Sequence, residues 1–304
     1  MQSISLDRPL VSVVIATYNM GCYLDQAIDS VLAQSWDNVE VIVVDDGSTD
    51  ETATLMSRYK DDIRINYIQN ENQGQPRAKN CGIRHACGDY IAFCDADDLW
   101  HPDKLSHQMP LFDDPEVGVV YSEVSNIDEY NRRYEQPPPY VRYQGSVTNQ
   151  LLIRNFVPFG TAVIRRECVE KSGAFDEQFR MGIDWDLWLR YSLDWKFAYT
   201  PEKTYIYREW SGQMSNNYRG RYKHALRILR KFVESQGASL PARTLRRAWA
   251  DTYINQANAI VMHEGKFLEP LSIYAKGIGK APTYWYGWKS LIKWMIGRHR
   301  KKPA

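Results

Sequence analysis

Cysteine is scarce in this 304-residue chain. Cys22, Cys81, Cys87, Cys94 and Cys168 are odd in number and form no Cys-x-x-Cys. That argues against a disulfide framework or a thiolate zinc site and fits a reducing compartment. The six histidines show no metal-ligand spacing. No run reaches the roughly 18 apolar residues of a membrane span, and residues 1–10 lack the apolar stretch of a secretory signal. A cytoplasmic location is therefore expected. Excess charge is also missing: 38 Lys and Arg face 37 Asp and Glu, for a net +1. Whole-protein charge gives no reason to expect a nucleic-acid partner. Neither a Gly-x-Ser-x-Gly elbow nor a phosphate-cradling P-loop is present. Acidic residues stop at Glu269, although Lys276, Lys280, Lys289, Lys293, Arg298, Arg300, Lys301 and Lys302 follow.

What is present is an ordinary globular composition, 44% hydrophobic and 25% charged, with length enough for one large domain and an appendage. Residues 10–16, 39–44, 63–68 and 90–94 are nearly continuous Val- and Ile-rich runs, as in strands covered on both faces. Between them, 24–34, 50–59 and 77–86 have helical spacing. Ser48-Thr49-Asp50-Glu51 reads as a capping box. Pro76 suits a first helical turn, and Gly88 the end of that helix. This rhythm predicts a doubly wound parallel α/β sheet. Beyond Pro102 the spacing predicts a helix over 102–112, a strand over 118–122, a Pro-rich loop over 136–140, a strand over 160–165, a short helix over 184–191 and a strand over 205–208. Residues 225–235, 245–263 and 271–278 read as helices, the last two a tetratricopeptide-like pair joined near Gly265. The domain boundary is expected near Asn217.

Open α/β sheets bind ligands beyond the carboxyl ends of their strands. The first predicted strand runs into Thr17-Tyr18-Asn19, the second into Asp45-Asp46-Gly47-Ser48, and the fourth into Asp95-Ala96-Asp97-Asp98. Neighbouring carboxylates repel one another, and a divalent cation relieves that cost. Asp95 and Asp97 share a face in extended chain. Two such oxygen ligands plus phosphates suit Mg2+ or Mn2+, which would neutralise charge on a departing diphosphate. Asp46, at another strand end, can accept the N3–H of a uracil ring, with Thr17 and Tyr18 lining the base.

Four segments now stand in order: Val-Ser-Val-Val-Ile-Ala-Thr-Tyr-Asn (11–19), Val-Val-Asp-Asp-Gly-Ser-Thr-Asp (43–50), Asn-Gln-Gly-Gln-Pro-Arg-Ala-Lys-Asn (72–80) and Cys-Asp-Ala-Asp-Asp-Leu-Trp (94–100). Together they resemble glycosyltransferase family 2, over roughly residues 10–215. The resemblance implies a GT-A fold: a Rossmann-like, mostly parallel sheet with helices on both faces, here with a C-terminal helical extension. It implies an inverting transferase that uses a nucleotide-diphospho-sugar, commonly UDP-linked, and a divalent metal. On this resemblance 1–217 is the catalytic domain, with a nucleotide-sugar half over about 1–122 and an acceptor half over about 123–217; 218–304 is the helical region. The donor would be held by Thr17, Tyr18, Asn19, Asp46, Asp95 and Ala96, and the metal by Asp97 with Asp95. Lys79 stands where the family often has Arg, keeping the charge but losing the planar fork. Arg77 is an alternative diphosphate contact.

Gly182-Ile183-Asp184-Trp185-Asp186-Leu187-Trp188-Leu189-Arg190 resembles the family's Glu-Asp-x-Asp-Leu-Trp-Leu-Arg, with Ile183 replacing Glu. Asp184 falls on the catalytic base; the bland reading of the pair is an N-cap and a surface acid. Tyr207-Arg208-Glu209-Trp210-Ser211-Gly212-Gln213-Met214-Ser215 resembles Tyr-Arg-x-His-x-Gly-Gln-x-Ser. Trp210 replaces a His and cannot ligate a metal. Arg208 and Ser215 stay as diphosphate candidates beside a purely structural reading of the 205–208 strand, Glu209 or water as a substitute ligand, and Trp100 as either a wall of the sugar or acceptor pocket or plain packing.

In the tail, 284–300 places Trp285, Trp288, Ile292, Met295 and Ile296 near one helical face with Lys289, Lys293, Arg298 and Arg300 beside them. This fits either a helix docked on the protein or peripheral contact with the inner face of the plasma membrane. The second option suits a lipid-linked rather than a free saccharide acceptor, as in surface polysaccharide or glycolipid assembly. Two rivals remain. A sugar-phosphate nucleotidyltransferase would carry a Gly-rich basic loop after the first strand, which Thr17-Tyr18-Asn19-Met20-Gly21 is not. A catalytically decayed nucleotide-sugar-binding scaffold is suggested by Lys79, Ile183 and Trp210.

Overall fold

The computed structural model describes residues 8–137 and 140–297. Pro138 and Pro139 of the expected loop, and 298–302 of the basic tail, lie outside the described residues. The chain divides into two compact units. The first runs up to Val147 and resumes over Phe156–Ser211; the second is Thr148–Asn155 and the chain from Gly212 onward.

In the first unit β1 (Val11–Thr17), α1 (Gly21–Leu32), β2 (Val39–Asp45), α2 (Thr52–Met56), β3 (Ile65–Gln69), α3 (Gln75–His85) and β4 (Tyr90–Phe93) alternate. β1 and β2 are buried along nearly their whole length, as continuous Val and Ile runs require. α1 turns Leu24, Ala27, Ile28 and Val31 inward, the one-face spacing of an amphipathic helix. Then follow β5 (Leu99–Trp100), α4 (Lys104–Gln108), β6 (Val117–Asp128), β7 (Arg133–Tyr134), α5 (Thr148–Ile153), β8 (Val163–Arg165), α6 (Arg166–Ser172), α7 (Ile183–Tyr191) and β9 (Lys196–Glu209). α5 belongs to the second unit.

Among the described residues one sheet runs in the order β3-β2-β1-β4-β8-β6-β9-β5, with β7 on β6. The first four strands are parallel. β8 then pairs antiparallel with β4 and β6, while β6 and β9 run parallel. The sheet is therefore mixed in its second half. β9 is far longer than the expected 205–208. Its register to β6 slips between Thr200 and Lys203, a bulge that absorbs Pro201.

Several local expectations are corrected. The strand over 63–68 begins only at Ile65, because Ile63 is exposed in a turn. Ser48 and Glu51 form no capping box. Ser48 Oγ accepts from the Asn19 amide, and Asp50 takes the Thr52 amide and hydroxyl with one oxygen and the Gly21 amide with the other. Gly88 does not end α3, which closes at Ala86. A Cβ on Gly88 would lie 2.4 Å from the Leu10 carbonyl oxygen, so its role is close backbone approach.

The second unit contains α5 with α8 (Tyr218–Gln236), α9 (Ala242–Glu264), α10 (Leu268–Lys280) and α11 (Trp285–Met295). Asn217, the expected boundary, caps α8 by accepting the Gly220 amide. α9 and α10 turn at Gly265, whose φ is 64°. Ala250, Ile254, Ala257, Ile260, Ile273 and Tyr274 form the core. Arg154 reaches Asp251 with two nitrogens, at 3.1 and 2.5 Å.

Candidate active site

The parallel register aligns the carboxyl ends of β2, β1 and β4. Thr17 pairs with Asp45, and the Asp46 amide donates to the Thr17 carbonyl at 2.9 Å. The Cys94 amide donates to the Val14 carbonyl, so the chain leaving β4 rises beside β1. Thr17, Asp46 and Asp95 thus occupy one sheet edge, with strands spaced about 4.8 Å apart.

Beyond β4 the chain alternates. Asp95 and Asp97 are half-buried and outward; Ala96 and Asp98 are buried. Lys79 of α3 donates to Asp95 Oδ1 at 2.7 Å, and the Trp210 indole nitrogen to Asp97 Oδ2 at 2.7 Å. Beneath them, Asp98 Oδ2 accepts from the Tyr205 hydroxyl at 2.8 Å and Oδ1 from the Arg208 amide at 2.7 Å. Burial, and then the charge of Asp95, pushes Asp97 above the usual carboxylate range. Asp98 is pushed well above it by burial and then by Asp97 and Asp95. Lys79 supplies a counter-cation to Asp95 within this concentration of like charge. Hard carboxylate oxygens under mutual repulsion fit a small divalent cation. Among the described residues no three His, Cys, Asp or Glu side chains converge as a ready metal site. Asp95 and Asp97 would therefore share a cation with substrate phosphates and water.

The other expected site residues divide by burial. Tyr18 is exposed at the rim. The Thr17 hydroxyl is buried without a partner at the end of β1. Both Asp46 oxygens accept backbone amides, from Gln73 and Gly74, each at 2.8 Å. This fastens the loop before α3 and leaves lone pairs for a further donor. Asn19 holds φ 52° and accepts the Thr49 amide, joining the ends of β1 and β2. Arg77 lies exposed and pairs with Glu177 at 2.9 Å.

Four of the expected residues have buried side chains. Lys79 is buried beneath Asp95, its ammonium 3.8 Å from the Phe159 ring centroid. Arg208 is fully buried. It donates to the Asp97 carbonyl at 2.7 Å and to Gln26 Oε1 at 3.0 Å, with its guanidinium over the Tyr23 ring. Both hold the acidic motif from below rather than facing the rim. Ala96 and Trp100 belong to the core under β1 and β2. Trp100 packs as the alternative reading expected, with Lys104 over its ring.

α7 carries Asp184 in its first turn, half-buried, where the helix N-terminus favours a carboxylate. Asp186 is buried and pairs with Arg190 at 2.9 Å. Arg190 in turn donates to the carbonyls of Ser172, Gly173 and Ala174. The segment before α7 is tied to α3: Asn80 exchanges hydrogen bonds with the Phe175 backbone, both at 2.9 Å. An aromatic series, Phe93 to Phe159 to Trp188, runs from β4 to α7. A cavity of about 360 Å³, lined by His101, Arg133, Tyr134 and Lys203 among others, contains none of the expected site residues. Asp98, Tyr205, Gln26 and Asn80 were not foreseen as supports. The only signal for Asp98 is the alternation, which turns it inward once Asp95 and Asp97 face out.

Residues 12–173 match the model of the family described as glycosyl transferase family 2. A glycosyltransferase of uncharacterized specificity from Rickettsia prowazekii is 36% identical over 188 residues, 60% of this chain and 58% of that protein. The chain thus matches little more than half of that relative's length. The Escherichia coli protein WfaP, a UDP-Glc:alpha-D-GlcNAc-diphosphoundecaprenol beta-1,3-glucosyltransferase, is 38% identical over 113 residues, 37% of this chain and 45% of that one. Residues 1–349 of Staphylococcus aureus TarS superpose with a TM-score of 0.66 at 19% identity, covering 89% of this chain and 79% of that one. TarS has also been solved with UDP-GlcNAc. The Pyrobaculum calidifontis mannosyltransferase PcManGT, solved with GDP-Man and Mn2+, gives 0.58 at 21% identity, covering 95% and 87%. At such identities these two structures speak for the GT-A fold alone.

Proposed function

The chain belongs to glycosyltransferase family 2, and from that premise we propose an inverting transferase that moves a sugar from a UDP-linked donor to an acceptor hydroxyl in surface polysaccharide or glycolipid assembly. The observation that carries this reading is the single sheet edge shared by Thr17, Asp46 and Asp95, with Asp97 in the turn beyond Asp95. Thr17 and Tyr18 line the base, and Asp46 accepts its ring N–H. Asp95 and Asp97 hold Mn2+ or Mg2+, which when bound neutralises charge on the leaving diphosphate. Arg77, exposed and paired with Glu177, is an alternative contact for that diphosphate.

The acceptor oxygen bonds to the anomeric carbon on the face opposite the diphosphate. The bond from that carbon to the phosphate oxygen breaks, and its electron pair leaves with UDP. Asp184 takes the hydroxyl proton. Asp186 is set aside for this role because Arg190 already occupies it. The UDP donor and lipid-linked acceptor are supported by the name of WfaP. A cytoplasmic location is supported by five free thiols.

A panel of UDP- and GDP-sugars, with and without Mn2+, tests the reading by thermal shift and by release of nucleotide. A UDP-sugar should stabilise the protein by mass action. Asp97→Ala should lose the metal-dependent part of UDP binding. Asp184→Asn should keep that binding and lose transfer by about 10²–10⁴-fold. Normal transfer by Asp184→Asn removes the base assignment, and indifference to every nucleotide-sugar removes the donor assignment.

A further inference from the structure

α11 is apolar on two sides. Tyr286, Leu291 and Trp294 pack on the core of the second unit, with Gly287 and Ser290 buried between them. Trp285, Trp288, Ile292, Met295 and Ile296 are exposed, Trp285 to 66% and Met295 to 69%. At 3.6 residues per turn these five fall within an arc of about 100° opposite the packed side. The Trp288 indole N–H already donates to the Pro282 carbonyl at 2.8 Å, so its outward surface is the apolar ring. Phe267, which precedes α10, and Leu268 and Leu271 in the first turn of α10 are also exposed, Leu268 to 77%. Phe267 rests on Trp294 at 5.0 Å between centroids, which sets that turn beside the end of α11. An exposed apolar face of this kind on α11 marks an interaction surface.

We propose that this face of the second unit lies on an anionic lipid bilayer. Charge selects the occupant. The charged residues of α11 are Lys289 and Lys293, both exposed along one flank of the apolar arc. α10 adds exposed Lys276 and Lys280, and the sequence has no acidic residue after Glu269. On α11 itself the apolar stripe is rich in Trp and bordered by lysines, while Glu264 and Glu269 beside Phe267 are paired with Arg219 and Lys266; the α11 stripe has the composition of an interfacial helix. Its rings enter the headgroup boundary, and its lysine stems lie flat with the ammonium groups among lipid phosphates. The described residues contain no helix able to cross a membrane, so the contact is with the surface. This inference goes beyond the transferase reading and does not depend on it.

The full chain is to be floated with vesicles of phosphatidylcholine alone and of phosphatidylcholine with phosphatidylglycerol. Wild type should rise with the anionic vesicles and not with the neutral ones. Trp285→Ser/Ile292→Ser/Met295→Ser should stay at the bottom of the gradient. Lys289→Glu/Lys293→Glu, which touches only exposed positions, should weaken anionic-vesicle partition by roughly twenty-fold or more. UDP-sugar binding by both variants reports that the first unit is intact, and their thermal unfolding reports the whole chain. Wild type that ignores anionic vesicles, or a lysine variant that floats like wild type, overturns the proposal. A wild-type dimer that the triple variant dissolves, without flotation, assigns the face to a second copy and overturns it equally.

Discussion

The Lys79 ammonium sits 2.7 Å from Asp95 Oδ1 while lying 3.8 Å from the Phe159 ring centroid. α3 thereby sets the position of the Asp95 carboxylate from underneath, with a cation sealed from solvent. Lys79→Met should leave Asp95 repelled by Asp97 and uncompensated. The expected cost is about 1–3 kcal/mol, less than for a fully buried pair because Asp95 is partly open to water. A double-mutant cycle with Asp95→Asn checks it. If the two changes add without coupling, the pair is not what fixes Asp95.

Asp184 and Asp186 should separate by readout. Asp186→Ala strips Arg190 of its carboxylate and loosens its hold on the carbonyls of Ser172–Ala174. It should lower stability by about 2–4 kcal/mol, seen in urea melts. Asp184→Asn should melt within about 1 kcal/mol of wild type yet fail in transfer. The reverse pattern would exchange the two assignments.

Gly160 is where Tyr205 passes. A Cβ there would lie 2.1 Å from the Tyr205 ring, whose hydroxyl donates to Asp98. Gly160→Ala should cost about 1–3 kcal/mol by overpacking. By moving Tyr205 it should also weaken metal-dependent UDP binding. A melt unchanged from wild type would show that the ring has room to shift.

Lys104 is fully buried, donating to Gln108 Oε1 and the Thr161 carbonyl. Burial lowers it from the usual lysine value of 10.5 to about 7. Between those values the unfolded chain holds a proton that the folded protein lacks, so stability rises with pH across this window. Relative to Lys104→Met, wild type should gain up to about 1.4 kcal/mol per pH unit from pH 7 towards 10. Denaturant midpoints of the two proteins that run parallel over this range would rule out the shifted lysine.

The sequence alone determined the centre of the parallel half of the sheet, because β1 and β2, buried on both faces, are continuous Val and Ile runs, and it set the polar residues of β1, β2 and β4 at one edge. Period-two geometry likewise made Asp95 and Asp97 readable as a pair. Tertiary structure decided what was held by contacts distant in the chain. Only residues 205–208 of β9 were visible, since Pro201, Glu202 and Lys203 break its apolar pattern at a bulge that pairing with β6 tolerates. Nothing local says that α5 packs with α9 across nearly a hundred residues, as Arg154 and Asp251 show. A lysine or arginine reads the same on a rim or beneath it. Lys79 and Arg208 became supports because the fold surrounds them with Phe159, Tyr23 and the carbonyl of Asp97, and burial is a property of the packed chain, not of the residue.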